Sequence, residues 1–176
     1  VSAHLARRAA VIGWPLGHSI SPAFQQAAFD AVGLPVTYRA VPVAPDGLEA
    51  FVASLKHPTD NGPEWLGVNV TIPHKQAVAN LVDDVTEEAQ QIGAVNTVIC
   101  TNGRLIGHNT DAIGFLRAML DRDIDPVGMS AIVLGAGGAA RAVAVGLLRH
   151  GVTELAIANR SPERAESLCW TLQDKF

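Results

Sequence analysis

The segment Gly67-Val68-Asn69-Val70-Thr71-Ile72-Pro73-His74-Lys75 places two polar side chains and a lysine at the end of an otherwise apolar run. In an extended strand, alternation sends Asn69 and Thr71 to the same face. Pro73 suits the first turn of a following helix, where its missing N–H costs nothing. Lys75 then falls near that helix's N-terminus, where the helix dipole disfavours a cation. A lysine that is neutral for part of its work gains from such a place, and an amine that sheds and regains a proton is a general acid–base group. The plain alternative is a capped helix with a solvated lysine.

A second segment points to a different chemistry. Ala131-Ile132-Val133-Leu134 runs into Gly135-Ala136-Gly137-Gly138-Ala139-Ala140. This is G-x-G-x-x-A after a strand and opening a helix, the context a dinucleotide-binding turn requires. Gly135 permits the tight turn, Gly137 lets a pyrophosphate approach the backbone, and Ala140 keeps the helix close to the sheet. The free N–H groups of the helix start then face the anion. The next strand, Leu155-Ala156-Ile157-Ala158, ends in Asn159-Arg160-Ser161, with Arg164 one turn later. An NAD site carries Asp or Glu there for the ribose 2′-OH. Two cations and a hydroxyl suit a 2′-phosphate instead, so the predicted cofactor is NADP.

Three smaller clusters complete the set. Ser19 and Ser21, in Gly13-Trp14-Pro15-Leu16-Gly17-His18-Ser19-Ile20-Ser21-Pro22, bring two hydroxyls to a helix N-terminus and could hold a carboxylate. Ser21 as a simple N-cap with Ser19 in the loop is an equal reading. Asn96 sits in the apolar run Gly93-Ala94-Val95-Asn96-Thr97-Val98, where a buried amide needs partners. Asp111, in Gly107-His108-Asn109-Thr110-Asp111, falls at a helix start, where an N-cap or first-turn acid is common.

The elements that must position these groups alternate between strand-like and helix-like patterns, which predicts an α/β fold. Strands are expected at Ala9–Gly13, Thr37–Val43, Leu66–Thr71, Ser130–Leu134 and Glu154–Ala158. Ala94–Thr101 and Arg104–His108 flank Asn102-Gly103, a hairpin signal. Helices are expected from Ser21 to Val32, Asp46 to Leu55, onward from Pro73, Thr86 to Ile92, Asp111 to Leu120, Gly137 to His150 and Ser161 to Gln173. His57 to Glu64 is expected as a loop. Asp121 to Gly128 holds three Asp, a Pro and a Gly. It separates a substrate-binding and catalytic domain at 1–110, with a connecting helix and linker at 111–128, from the first part of a nucleotide domain at 129–176.

Composition narrows the partners. The chain has 176 residues, is 48% hydrophobic, and carries a formal charge of −4. That is enough apolar material for a core. No basic block points to nucleic acid, and no apolar run reaches the ~18 residues that span a bilayer. Arg7-Arg8 precedes an apolar run too short for a signal sequence. Cys100 and Cys169 lie far apart without ligand spacing, and the six histidines are scattered, so no metal site is expected. Buried, reduced thiols fit a cytoplasmic setting.

The ordered blocks GWPLGHSISP, GVNVTIPHK, IGAVNTV, GHNTDAIGF, VLGAGGAARA and ANRSPERA resemble the shikimate dehydrogenase family over about Ala9 to Leu168. The resemblance implies an N-terminal α/β substrate-binding domain followed by a partial Rossmann NADP-binding domain. It also implies reversible, NADP-dependent reduction of 3-dehydroshikimate to shikimate in aromatic amino-acid biosynthesis. Ser19 and Ser21 would hold the substrate carboxylate. Asn69, Thr71, Asn96 and Asp111 would bind its hydroxyls, with Lys75 and Asp111 the catalytic pair. Gly135, Ala136, Gly137, Gly138, Ala139, Asn159, Arg160, Ser161 and Arg164 would bind NADP. A quinate/shikimate dehydrogenase paralogue and a non-catalytic shikimate-binding regulator are the alternatives, and a homodimer is an open assembly. Two departures stand out: Gln25-Gln26 where the family shows His-Asn, and Ser161 where threonine is common. Only 48 residues follow Gly128, which predicts a C-terminally truncated chain that is a weak catalyst by itself.

Overall fold

The computed structural model describes residues 7–17, 19–56 and 64–176. His18 and residues 57–63 of the expected loop lie outside the described residues. The chain divides into two compact units, one running up to Thr86 and including Val95–His108, the other formed by Glu87–Ala94 and Asn109–Phe176.

The first unit is built on a six-stranded sheet in the order β2-β1-β3-β5-β6-β4. Its strands are β1 (Arg7–Gly13), β2 (Val36–Pro42), β3 (Glu64–Val70), β4 (Asp84–Val85), β5 (Thr97–Thr101) and β6 (Arg104–His108). β1 runs parallel to both β2 and β3, whereas β3–β5 and β5–β6 are antiparallel. Ala9, Ala10, Val11 and Ile12 are all buried, as a parallel strand covered on both faces requires. One face packs Ala9, Val11, Val36 and Tyr38 against Leu16, Phe29 and Leu66. Helix α1 (Ser21–Ala31) follows β1, and α2 (Leu48–Ser54) follows β2 and buries Leu48 and Val52. Gly67 is required where β3 meets β5, because a Cβ there would overlap the Val98 carbonyl oxygen. Asn102 and Gly103 both take positive φ in the hairpin joining β5 and β6, the conformation an Asn-Gly pair favours.

Two local expectations differ from the structure, and one element was not expected. α3 spans Lys75–Val78 and does not begin at Pro73. The His74 N–H instead donates to the Thr71 carbonyl at 3.0 Å, closing a turn that holds the cis Ile72–Pro73 peptide. The first hairpin strand starts at Thr97 rather than Ala94, and the Val95 N–H donates instead to the Lys75 carbonyl. The short edge strand β4 was not legible at all: two residues carry no periodicity.

Asp83 ties that edge together. Its carboxylate accepts from Lys56 Nζ and, at 2.8 Å, from the Leu105 N–H. These hydrogen bonds hold its pKa below the usual carboxylate value. A depressed folded-state pKa gives stability that is present above the unfolded value and lost as pH falls through the folded one. Asp83→Asn is therefore expected to lower the melting temperature at neutral pH, and the two melting temperatures should converge in acid below about pH 4. A pH-independent difference would show that the charge is irrelevant.

The second unit contains α4 (Glu87–Ile92), α5 (Asp111–Leu120), α6 (Gly138–Arg149) and α7 (Pro162–Gln173) with parallel strands β7 (Ser130–Leu134) and β8 (Glu154–Ala158). Ile92, Ala112, Ala142, Val145, Leu168 and Leu172 form its core. Ile132 and Leu134 of β7 stay exposed. Among the described residues no helix is long and apolar enough to cross a membrane.

Candidate active site

The strand order fixes where a ligand can sit in the first unit. β1 and β3 are parallel neighbours, yet the chain leaves β1 toward β2 and leaves β3 toward the antiparallel half. Such a switch point opens a crevice outside the carboxyl ends of the strands. The loop after β1 carries Ser19 and Ser21, and the turn after β3 carries Thr71 and Lys75. Backbone bonds sew loop and turn together: Thr71 N–H to the Ile12 carbonyl at 2.9 Å, and Trp14 N–H to the Ile72 carbonyl at 3.0 Å.

Gly13 makes this approach possible. A Cβ on Gly13 would lie 2.5 Å from Thr71 Cγ2 and 2.9 Å from the Ile72 carbonyl oxygen. Gly13→Ala is expected to cost about 1–3 kcal/mol of stability and to weaken ligand binding by displacing Thr71. Chemical denaturation and a ligand titration check both parts, and a variant unchanged in both would contradict this packing.

Each predicted residue of the first unit can be placed. Asn69 and Thr71 are half-buried at the end of β3. Asn96 is buried, its carbonyl accepting from Val70 N–H at 2.7 Å and its N–H donating to His108 at 2.9 Å. The Lys75 carbonyl accepts from Val95 N–H at 2.7 Å, so Lys75 and Asn96 are held on adjoining backbone. Lys75 is half-buried at the first position of α3. Ser21 is not the N-cap of α1, which is Ile20. The Ser21 N–H lies 3.4 Å from Ser19 Oγ, and α1 carries no side-chain cap. Gln26, the second residue of the Gln25-Gln26 departure, bonds both the Val36 carbonyl and the Tyr38 N–H and so fastens α1 to β2.

Asp111 belongs to the second unit, as the first residue of α5 after the N-cap Thr110. Its N–H donates to Asn109 Oδ1 at 2.9 Å, and Asn109 Nδ2 donates to the Ala94 carbonyl at 2.9 Å.

The glycine turn has the form a dinucleotide needs. Gly135 takes φ +116° and its N–H donates to the Ala158 carbonyl at 2.7 Å. Gly137 is the extended N-cap of α6, and nothing lies within 4 Å of where its Cβ would be. Gly138, Ala139 and Ala140 then supply the N–H groups of the first turn. Asn159 Nδ2 donates to the Ser161 carbonyl at 2.9 Å, shaping the β8–α7 turn, and Arg160 and Arg164 are exposed.

Sequence reasoning missed several residues here. Arg141 Nε is buried without a hydrogen-bond partner. Burial, and secondarily the Arg164 guanidinium, lower the Arg141 pKa. An orphaned guanidinium N–H beside a second cation fits a phosphate-bearing cofactor. His74 is 2% exposed and its Nε2 donates to the Val43 carbonyl at 2.7 Å, tying the turn after β3 to the end of β2. Tyr38 reaches Asn69 at 2.7 Å. Tyr38, Asn69 and Thr97 line a cleft of about 320 Å³ together with Gln25 and Phe29. Cys100 and Cys169 are unpaired, and burial pushes the Cys100 thiol up to about 11. No cluster of three His, Cys, Asp or Glu side chains among the described residues could hold a metal ion.

The chain is similar to known proteins along most of its length. Residues 11–98 match the shikimate dehydrogenase substrate binding domain, and residues 122–176 match shikimate / quinate 5-dehydrogenase. A shikimate dehydrogenase (NADP(+)) of Symbiobacterium thermophilum is 50% identical over 90% of this chain and 52% of its own length. A crystal structure of shikimate 5-dehydrogenase from Thermus thermophilus, in complex with NADP(H) and shikimate, superposes with TM-score 0.84 and 41% identity. The match covers 95% of this chain and 61% of that one. The ligand-free 5-ketofructose reductase of a Gluconobacter strain is 38% identical with TM-score 0.82, over 98% and 60% of the two chains. The chain spans about half the length of the curated relatives it matches. With its substrate-binding model matched over half the chain, this protein belongs to the shikimate dehydrogenase family.

Proposed function

We propose that this chain carries the substrate site and the cofactor-anchoring turn of an NADP-dependent shikimate dehydrogenase, which interconverts 3-dehydroshikimate and shikimate in aromatic amino-acid biosynthesis. The observation that carries the reading is the gathering of Thr71, Lys75 and Asn96 at the β1–β3 switch point, with Ser19 and Ser21 on the loop sewn to it.

In this reading the two serine hydroxyls hold the substrate carboxylate, and Asn69, Thr71 and Asn96 bind its ring hydroxyls. Oxidation of the alcohol removes a hydride from carbon and a proton from the hydroxyl. Lys75 Nζ takes that proton and returns it in the reverse direction. Asp111 is the second residue assigned to the chemistry. The N–H groups of Gly135 to Ala139 would hold the pyrophosphate, and Asn159, Arg160, Ser161 and Arg164 would hold the 2′-phosphate. The bound nicotinamide supplies or accepts the hydride. The two unpaired cysteines support a reducing, cytoplasmic location.

A second reading has support from the 5-ketofructose reductase, whose relatedness shows that family members can differ in the ketone they are named for. Calorimetric titration of the intact protein with shikimate, quinate and 5-ketofructose decides between them. Saturable binding that favours shikimate is the expected result. Preference for either other compound would replace the substrate, and binding of none would remove the assignment.

A further inference from the structure

Asn109 is a buried amide, 3% exposed, that none of the roles above uses. It stands two residues before Asp111, the first residue of α5. Both ends of its side chain are engaged. Oδ1 accepts from the Asp111 N–H at 2.9 Å, and Nδ2 donates to the Ala94 carbonyl at 2.9 Å. These partners set the orientation of the amide by themselves. A backbone N–H only donates and a backbone carbonyl only accepts. A half-turn of the amide would face nitrogen to N–H and oxygen to carbonyl, so one orientation alone satisfies the two groups.

The first bond is local. An Asn that accepts from the N–H two residues on shapes the entry to a helix, and that needs no function beyond stability. The second bond crosses 15 positions, to the segment between α4 and β5. Ala94 is fully buried and shares one core cluster with Ala112 of α5, so the bond lies in an apolar setting. A buried carbonyl that loses its donor there is costly, and the backbone must shift to recover one. The partner of that carbonyl across the peptide bond is the Val95 N–H, which donates to the Lys75 carbonyl at 2.7 Å. One planar peptide group, joining Ala94 to Val95, is therefore held through its oxygen by Asn109 and through its N–H by Lys75.

We infer that Asn109 is a positioning residue which, by clasping the Ala94 carbonyl, fixes the start of α5 and with it Asp111 to the peptide group that Lys75 also holds. This rests on the proposed reading of Lys75 and Asp111 as the residues of the chemistry. Loss of the clasp acts on turnover, because reacting groups tolerate little displacement. The nucleotide turns keep their own bonds, from Gly135 N–H to the Ala158 carbonyl and from Asn159 to the Ser161 carbonyl.

The test compares two variants of the intact protein with shikimate and NADP+ at about pH 8, well above the usual carboxylate range. Asn109→Ser keeps an oxygen that accepts from the Asp111 N–H but is too short to reach the Ala94 carbonyl as well. Asn109→Asp keeps the side-chain volume and the accepting oxygen but sets a second acceptor against that carbonyl. Both are expected to lower kcat about ten-fold or more, while the KM for NADP+ and its calorimetric affinity change less than about two-fold. In an Asp111→Asn background the Asn109 substitutions should cost less than about three-fold further, because the residue they displace is already gone. Should Asn109→Ser not fold, Asn109→Asp carries both comparisons. A kcat kept by either folded variant overturns the inference and leaves Asn109 a helix cap. So do losses that multiply in full in the double variant, or a fall in NADP+ affinity as large as the fall in kcat. A wild type that does not oxidise shikimate overturns the proposed chemistry and this inference with it. An active wild type whose kcat survives the Asn109 substitutions overturns this inference alone.

Discussion

Lys75→Ala is expected to reduce shikimate-dependent turnover of the intact protein by about 10²–10⁴-fold, the range for loss of a positioned general acid–base group. Shikimate affinity should fall by less than about ten-fold, because the groups assigned to binding remain in place. The substitution leaves the backbone unharmed: the Lys75 carbonyl still accepts from Val95 N–H. Val78 is the buried residue of the four-residue helix that Lys75 opens. Rates from nicotinamide absorbance and affinities from calorimetry separate the two effects. Equal losses of rate and affinity would make Lys75 a binding residue. Full activity would remove it from the chemistry, and a shikimate-binding regulator would keep its function in this variant.

The second large effect concerns the cofactor. Arg160→Ala with Arg164→Ala is expected to raise the KM for NADP+ by about 100-fold or more, since a hydrogen bond to a charged group is worth about 1.5–3 kcal/mol. The KM for NAD+, which lacks the 2′-phosphate, should change by less than about three-fold. Both guanidinium groups are exposed, so their removal disturbs no packing. The Arg164 N–H still caps the turn on the Ser161 carbonyl at 3.2 Å. The loss should shrink at high salt, where exposed charges are screened. A parallel loss with both nucleotides would place the arginines on the shared pyrophosphate instead. Arg141, with its unpartnered Nε, is the group best placed to retain residual phosphate affinity in the variant.

The parts of the fold that were legible in the sequence are those where a residue type answers a backbone demand. Gly135 at φ +116° and Asn102-Gly103 at positive φ are such places, because few other residues adopt those angles. The buried parallel strands were legible from their continuous apolar runs. Pro73 was ambiguous: the same residue suits a helix start and a tight turn, and only the Thr71–His74 bond decides. Ser21 misled for a related reason, since the N-cap is Ile20, one residue earlier, and the helix has no side-chain cap.

The residues that were missed depend on partners far away in sequence. Tyr38 meets Asn69, and His74 meets Val43, each across 31 positions. No local pattern records such a pairing. Asn109 did carry a signal: an Asn two residues before a helix can accept from the chain and cap it. Asp111 drew the reading because the acid is the more familiar first-turn residue.

The central claim is that Ser19, Ser21, Asn69, Thr71, Lys75 and Asn96 serve an NADP-linked oxidation of shikimate. Its most direct test is the initial rate of nicotinamide reduction by the intact protein with shikimate, NADP+ and NAD+ compared side by side. The account predicts shikimate-dependent reduction of NADP+ that exceeds that of NAD+ and disappears in Lys75→Ala. A folded protein that binds shikimate yet reduces neither nucleotide would contradict it and make the site a sensor.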